Sequence, residues 1–199
     1  MIRKLVVNKV SKKLTLNVEP NVLDDENFDL FESKPLEIID DYSSLIEPHR
    51  YLVDYFAIKT GGKRMARRED LVPEELTGYL PFITLFDLDF DENEKLETVR
   101  VRLLGTGMAS FYGEWTGENF DEAGAETLLQ KKLPATYKRI MSLIGTVLDK
   151  KTPITMKSQQ ISEDRPHLYV SNLVIPLCDE NDNINMIFLY SDIHNSRED

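Results

Sequence analysis

The most restrictive feature of this chain is an abrupt change of period between Thr98 and Gly117. Thr98-Val99-Arg100-Val101-Arg102-Leu103-Leu104 alternates as a strand does. Gly105-Thr106-Gly107 breaks the alternation, an aromatic-rich segment runs from Met108 to Trp115, and Thr116-Gly117 closes it. A strand therefore gives way to a small helix and a turn, leaving several aromatic side chains near one end of a sheet.

The flanking periodicities set the rest of the architecture. From about Ser43 to Ile58, Leu45, His49, Leu52, Val53, Phe56 and Ala57 fall on one helical stripe, which Gly61-Gly62 ends. Pro73 opens a short helix, and Pro81 precedes a strand over 82–88. A helix over 124–149 carries Leu129, Leu133, Tyr137, Ile140, Met141, Ile144, Val147 and Leu148 at three- and four-residue spacing. Pro134 inside it predicts a kink or restart. Strands over 153–161, 168–178 and 184–193 follow, the last two joined by the turn Asp179–Asn183. This order predicts an α+β domain with a single antiparallel sheet. Residues 45–199 form that domain; residues 1–44 read as an extension, with a hairpin pairing Leu5–Val7 and Leu14–Val18 and then an acidic linker or mobile arm.

Composition narrows the function classes. Of 199 residues, 41% are hydrophobic and 30% charged, enough apolar material for a core in a soluble chain. No apolar run approaches the roughly 18 residues that span a bilayer, and the N-terminus lacks the pattern of a signal peptide. Cys178 is the single cysteine, so no internal disulfide forms. These features point to the cytoplasm and away from a membrane. The net charge of −11 repels phosphate backbones and argues against nucleic acid. The local basic patch of Lys63, Arg64, Arg67 and Arg68 reads best as arginines paired with Glu69, Asp70, Glu74 and Glu75.

Several chemical motifs fail on their own requirements. Asp87, Asp89 and Asp91 have calcium-loop spacing, but Glu92 and Thr98 stand where the loop needs glycine and a bidentate glutamate. Gly105-Thr106-Gly107 lacks the third glycine of a dinucleotide fingerprint, having Ser110 there. Arg64 follows Gly62-Lys63 where a P-loop has Ser or Thr. His49, His167, His194 and Cys178 show no metal-ligand spacing, so no metal site is predicted.

Met65-Ala66-Arg67-Arg68-Glu69-Asp70 with Pro73 and Leu76, then Leu80-Pro81, then Arg102, Gly105, Thr106, Gly113, Thr116 and Gly117, recur in one order. Together they resemble a bacterial subfamily of PAS domains marked by M-P-R-R-x-D, L-P, R-L-x-G-T and G-x-[DE]-x-T-G segments. Ala66 stands in place of the proline, and the last segment is one residue shorter, with Glu114 as its acid. The resemblance covers about residues 46–194 and implies a five-stranded antiparallel sheet, with helices on one face and an N-terminal helix. It implies a sensory or interaction module for signal transduction rather than an enzyme. Arg67 or Arg68 is expected to reach Asp70 or another carboxylate and pin the segment before the first strand.

In such a fold the aromatic segment lies against the sheet. The functional reading is a small-molecule pocket lined by Met108, Phe111, Tyr112, Trp115 and Phe120, with Arg102 or Tyr137 as polar anchor. The alternative is a filled core made of the same side chains. No cofactor is named. The Asn-Cys-Arg-Phe-Leu motif of flavin-adduct PAS domains is absent, and His49, better read as a packing residue, is the one residue considered for haem. Only five residues follow His194, so the expected output is self-association or a separate partner protein. The stripe Leu45, Leu52, Val53 and Phe56 is the candidate dimer surface. Rival readings are an enzyme using Glu114 or His167 as acid or base, and a ligand-free structural adaptor.

Overall fold

Leu173–Cys178 and Met186–Tyr190, the facing middles of the last two strands, are apolar throughout, so both faces of the sheet they build must be covered. The computed structural model describes residues 38–39, 41–156, 159–162 and 165–195. Its strands are β1 (Ile38–Ile39), β2 (Ala66–Arg67), β3 (Ile83–Phe90), β4 (Leu96–Leu104), β5 (Asn119–Glu122), β6 (Ile154–Met156), β7 (Gln159–Ser162), β8 (Arg165–Cys178) and β9 (Ile184–Asn195). Its helices are α1 (Glu47–Thr60), α2 (Thr106–Tyr112), α3 (Leu128–Lys132) and α4 (Pro134–Lys150). Short 3₁₀ turns at Arg68–Asp70, Pro73–Glu75 and Leu80–Phe82 lead into β3.

The class is α+β, as the order of elements predicts. The sheet is larger than the five strands expected. Nine described strands belong to it, seven in the order β1-β6-β8-β9-β3-β4-β5, with β2 and β7 also pairing along β8. The five expected strands form the contiguous middle, β6-β8-β9-β3-β4. The stretch 153–161 divides into β6 and β7, which pair with different parts of β8. Two-residue β1 and β2 and four-residue β5 are too short to show a period, and β2 runs parallel to β8 in an otherwise antiparallel sheet. Of the extension expected over residues 1–44, the hairpin and most of the acidic arm lie outside the described residues. Ile38–Ile39 joins the sheet edge against Met156 and Thr155.

Alternation sorts the strands onto two cores. Phe86, Leu88, Val99, Val101, Val170, Val174, Ile187 and Leu189 face α2, α3 and α4. Ile83, Leu85, Leu173, Ile175, Leu177, Met186, Phe188 and Tyr190 face α1 and the 66–82 segment. We call these the inner and outer faces. Helix α4 starts at Pro134, a residue suited to a first turn, and buries Ile140, Leu143, Ile144 and Val147 on the inner face. Leu133 separates it from α3, which is the restart that Pro134 predicts.

Helix α1 has Pro48 in its first turn and stops at Gly61, whose φ of 63° suits a residue with no Cβ. Its stripe covers the chain's own outer face: Leu52 is 0% and Phe56 4% exposed, and Phe56 packs edge-on to Phe188 with centroids 5.2 Å apart. Leu45 is buried and Val53 half-buried. The candidate dimer stripe is therefore corrected to an internal one, because periodicity shows that a stripe is covered but not by what.

The segment before β3 is pinned by Arg64. Its Nη1 and Nη2 both donate to the Asp70 carboxylate at 2.7 Å, and the Arg67 amide donates to Asp70 at 2.8 Å. Tyr55 ties the same segment to α1, donating to Asp70 O at 2.8 Å and accepting from Val72 N at 2.9 Å. The Arg67 side chain instead turns to Asp182, 3.6 Å away, and Arg68 donates to Leu71 O.

Candidate functional site

The Gly105-Thr106-Gly107 break builds one wall of the site. A Cβ on Gly105 would collide with Leu80 O and Pro81 O, and one on Gly107 would meet Pro81 O at 2.8 Å. Two glycines thus let α2 sit directly on the 80–82 turn, next to the end of β4. The loop after α2 is held by the Trp115 Nε1–H donating to Tyr112 O at 2.6 Å. Thr116 Oγ1 accepts from Leu104 N at 3.2 Å, and Gly117 N donates to Val101 O at 2.7 Å. Glu114 accepts from the Thr116 amide at 2.9 Å, and hydrogen bonds from Thr116 hold its exposed carboxyl below the usual glutamate value. Glu114 serves here as a cap for the turn.

Between this wall, α3, α4 and the inner face lies a cavity of about 50 Å³. Phe86, Val101, Leu104, Met108, Tyr112, Trp115, Phe120, Leu129, Leu133, Ile140 and Leu189 make it mainly apolar, and Thr84, Thr136, Arg139, Asn172 and Ser191 supply its polar groups. Apolar walls with a few convergent polar groups are the usual make-up of a small-molecule site. The room equals roughly three to five waters at about 10–15 Å³ each.

Of the residues expected at a pocket, Met108, Tyr112, Trp115 and Phe120 line the cavity. Phe111 is buried in the inner core beside it without lining it. Arg102 lies outside: half of its side chain meets solvent, and it pairs with Asp87 at 3.2 Å. Val99 and Val101 point inward, so Arg100 and Arg102 must point outward. Tyr137 stacks on Phe120 and donates to Asp121 Oδ1 at 2.7 Å, so its hydroxyl is engaged elsewhere. Desolvation and that carboxylate push its pKa up to about 12. The polar positions that periodicity missed are Thr84, Thr136, Arg139, Asn172 and Ser191. Asn172 and Ser191 share the parity of the inward Val170, Val174, Ile187 and Leu189, the one signal that could have found them.

A hydrogen-bonded chain leads from the cavity through the sheet. Ser191 Oγ donates to Asn172 Oδ1 at 2.8 Å on the inner face. On the outer face, Thr155 Oγ1 donates to the Asn172 carbonyl at 2.9 Å and lies 2.9 Å from His49 Nδ1. Thr155 has one hydroxyl proton and Asn172 takes it, so His49 Nδ1–H is the donor to Thr155. The imidazole is then neutral, and its buried Nε2 meets no side-chain partner among the described residues. Burial lowers the His49 pKa to about 4, with Asp192 partly opposing the shift. His49 packs edge-on to Tyr190 on the outer face, so it offers no ligand atom to the cavity.

Among the described residues, no three His, Cys, Asp or Glu side chains are grouped to hold a metal ion. The aspartates with calcium-like spacing have separate duties: Asp87 pairs with Arg100 and Arg102, and Asp91 accepts from the Asn93 and Lys95 amides. The His167 side chain lies outside the described residues. No described helix is long and apolar enough to cross a membrane.

A two-faced antiparallel sheet with a helix-bounded cavity is the setting in which the comparisons fall. The chain belongs to the PAS domain family, which it matches over residues 46–189. A sensory box sensor histidine kinase from Vibrio cholerae is similar in structure at 17% identity, over 61% of this chain and 88% of that one, with a TM-score of 0.32. No curated protein matches the chain.

Proposed function

We propose that this PAS domain is a sensory module that takes a small molecule into the cavity between α2–α4 and the sheet and reports its presence to α1. The observation that carries this is the chain from Ser191 and Asn172 through Thr155 to His49, which joins the cavity wall to a helix on the opposite face. A ligand shifts such a module only by binding one arrangement better than another. Rearranged bonds at Asn172 and Ser191 supply that difference, because the same residue, Asn172, also carries the link to Thr155.

The motif positions support membership of the subfamily that carries them. Asp70 pins its segment, Gly105 admits the 80–82 turn, and Thr116 and Gly117 fasten the loop to β4. Residues 45–199 are the sensory domain in this reading, with residues 1–44 as its extension. Self-association belongs to the same proposal. With the inward stripe of α1 covered, the available surface is its outward side, where Tyr51 is 42% and Ile58 72% exposed.

Native mass spectrometry against the denatured mass shows whether a small molecule co-purifies. In NMR titrations the His49 ring signals should then move on ligand addition, and Thr155→Val should uncouple them without closing the cavity. Ligand binding that leaves His49 unmoved would overturn the reporting role. Sedimentation showing a single species near 23.0 kDa would remove self-association.

A further inference from the structure

We infer that the cavity takes a short-chain monocarboxylate, held by Arg139; the inference rests on the cavity reading above and names its ligand class. Arg139 reaches the cavity from α4. Its Nη2 donates to Thr136 Oγ1 at 3.3 Å, at the long end of hydrogen-bond range, while its Nε is shielded from water and meets no acceptor among the described residues. Among the described residues it has no carboxylate partner. A guanidinium stays charged at any ordinary pH, and a buried donor without a partner is costly. A carboxylate laid side-on against Nε and an Nη corrects both conditions at once, through two parallel N–H···O bonds.

Size and charge narrow the class. Room for roughly three to five waters accommodates a head and a tail of one to three carbons. The tail has Phe86, Val101, Leu104 and Met108 to lie against. A dicarboxylate or a phosphate would bring charge that one arginine cannot neutralise inside an apolar wall. The chain as a whole carries −11, so attraction for an anion is local to Arg139 rather than a property of the surface. Asn172 adds a further donor: among the described residues its Nδ2 meets only Met156 Sδ, at 3.9 Å, while its Oδ1 is taken by Ser191.

The test compares acetate, propionate, butyrate and hexanoate with propionamide and inorganic phosphate, read by calorimetry and by methyl NMR of Val101, Leu104 and Ile140, with xenon as an apolar probe. Propionate should bind at least tenfold more tightly than propionamide, its neutral isostere. Hexanoate and phosphate should bind more weakly than propionate, and Arg139→Gln should erase the acid-over-amide preference. The acid–amide comparison needs no variant, so it stands even if Arg139→Gln folds poorly. Equal affinity for acid and amide, or a preference that survives in folded Arg139→Gln, overturns the anion inference while leaving the cavity reading intact. If none of the probes, xenon included, perturbs those methyls, the cavity reading falls and this inference with it.

Discussion

Both faces of the sheet are closely packed at their centres and differ in where space remains: beside Phe56, Ile175 and Leu173 at the margin of the outer face, and between the sheet and its helices on the inner one. On the outer face, Leu52, Leu76, Ile83 and Phe188 are each at most 1% exposed, and edge-on contacts link Tyr55, Phe56 and Phe188. On the inner face the packing leaves a cavity, and five polar side chains border it. A closed core gains from every contact, whereas a void forfeits them along its lining. Because the inner space is bordered by core side chains of β3, β4, β8 and β9, changes of volume there and at the centre of the outer face should be felt differently.

Truncation should show the largest contrast. Phe188→Ala removes a fully buried ring from the closed face and is expected to cost about 3–5 kcal/mol in urea denaturation. Met108→Ala, beside an existing cavity, should cost less, near 2 kcal/mol, the bottom of the range for such losses. If Met108→Ala costs as much as Phe188→Ala, the two faces are equally closed and the comparison fails.

Adding volume reverses the order. Leu85→Phe overfills the outer face and should cost about 1–3 kcal/mol. Val101→Ile adds one methyl group on the cavity side and should leave stability unchanged or raise it by up to about 1 kcal/mol. A matched loss from both would mean that the inner void is not available to side chains.

How far the sequence revealed these faces depends on the element. Alternation in β4, the apolar runs of β3, β8 and β9 and the stripe of α4 carried the central sheet and its inner helix, because burial on one face imposes a period and burial on both imposes a run. Four of the cavity's aromatic and methionine side chains were legible for the same reason, being close in sequence to the break at Gly105. Arg139, Asn172 and Ser191 were not, since they come together from α4, β8 and β9 and no single element shows that they meet. Arg102 lies outside the cavity, as the inward Val99 and Val101 of its own strand imply. The stripe of α1 was legible as buried, but whether it met its own sheet or a second copy is a tertiary fact.

Asp70 sharpens the comparison at the edge of the outer face. Hydrogen bonds from Arg64 hold its carboxyl below the ordinary value of 3.8, with the Arg67 amide adding to the effect and burial opposing it. A carboxyl with a lowered folded pKa stabilises the fold above the unfolded value, and that contribution fades as pH falls through the folded one. Asp70→Asn should therefore cost about 1.5 kcal/mol at neutral pH, the low end for a charged hydrogen bond because Arg64 is partly in solvent. The gap between wild type and variant should shrink below pH 3.8. A gap constant from neutral pH down to pH 3 would show that the charge is not what holds the segment.

The smallest effect is one of reactivity. Cys178 is 3% exposed, and burial raises its thiol above the usual 9.0, so little thiolate exists near neutral pH. Its Sγ lies 3.8 Å from Met65 O, within the segment that Arg64 and Asp70 pin across the end of β8. Labelling by a thiol reagent should consequently be much slower than in the unfolded chain. Asp70→Asn should speed it several-fold by loosening that segment, while Val101→Ile, on the other face, should leave it unchanged. Acceleration in both variants would show that the faces open together, and acceleration in neither would place the opening that admits the reagent away from the Asp70 segment.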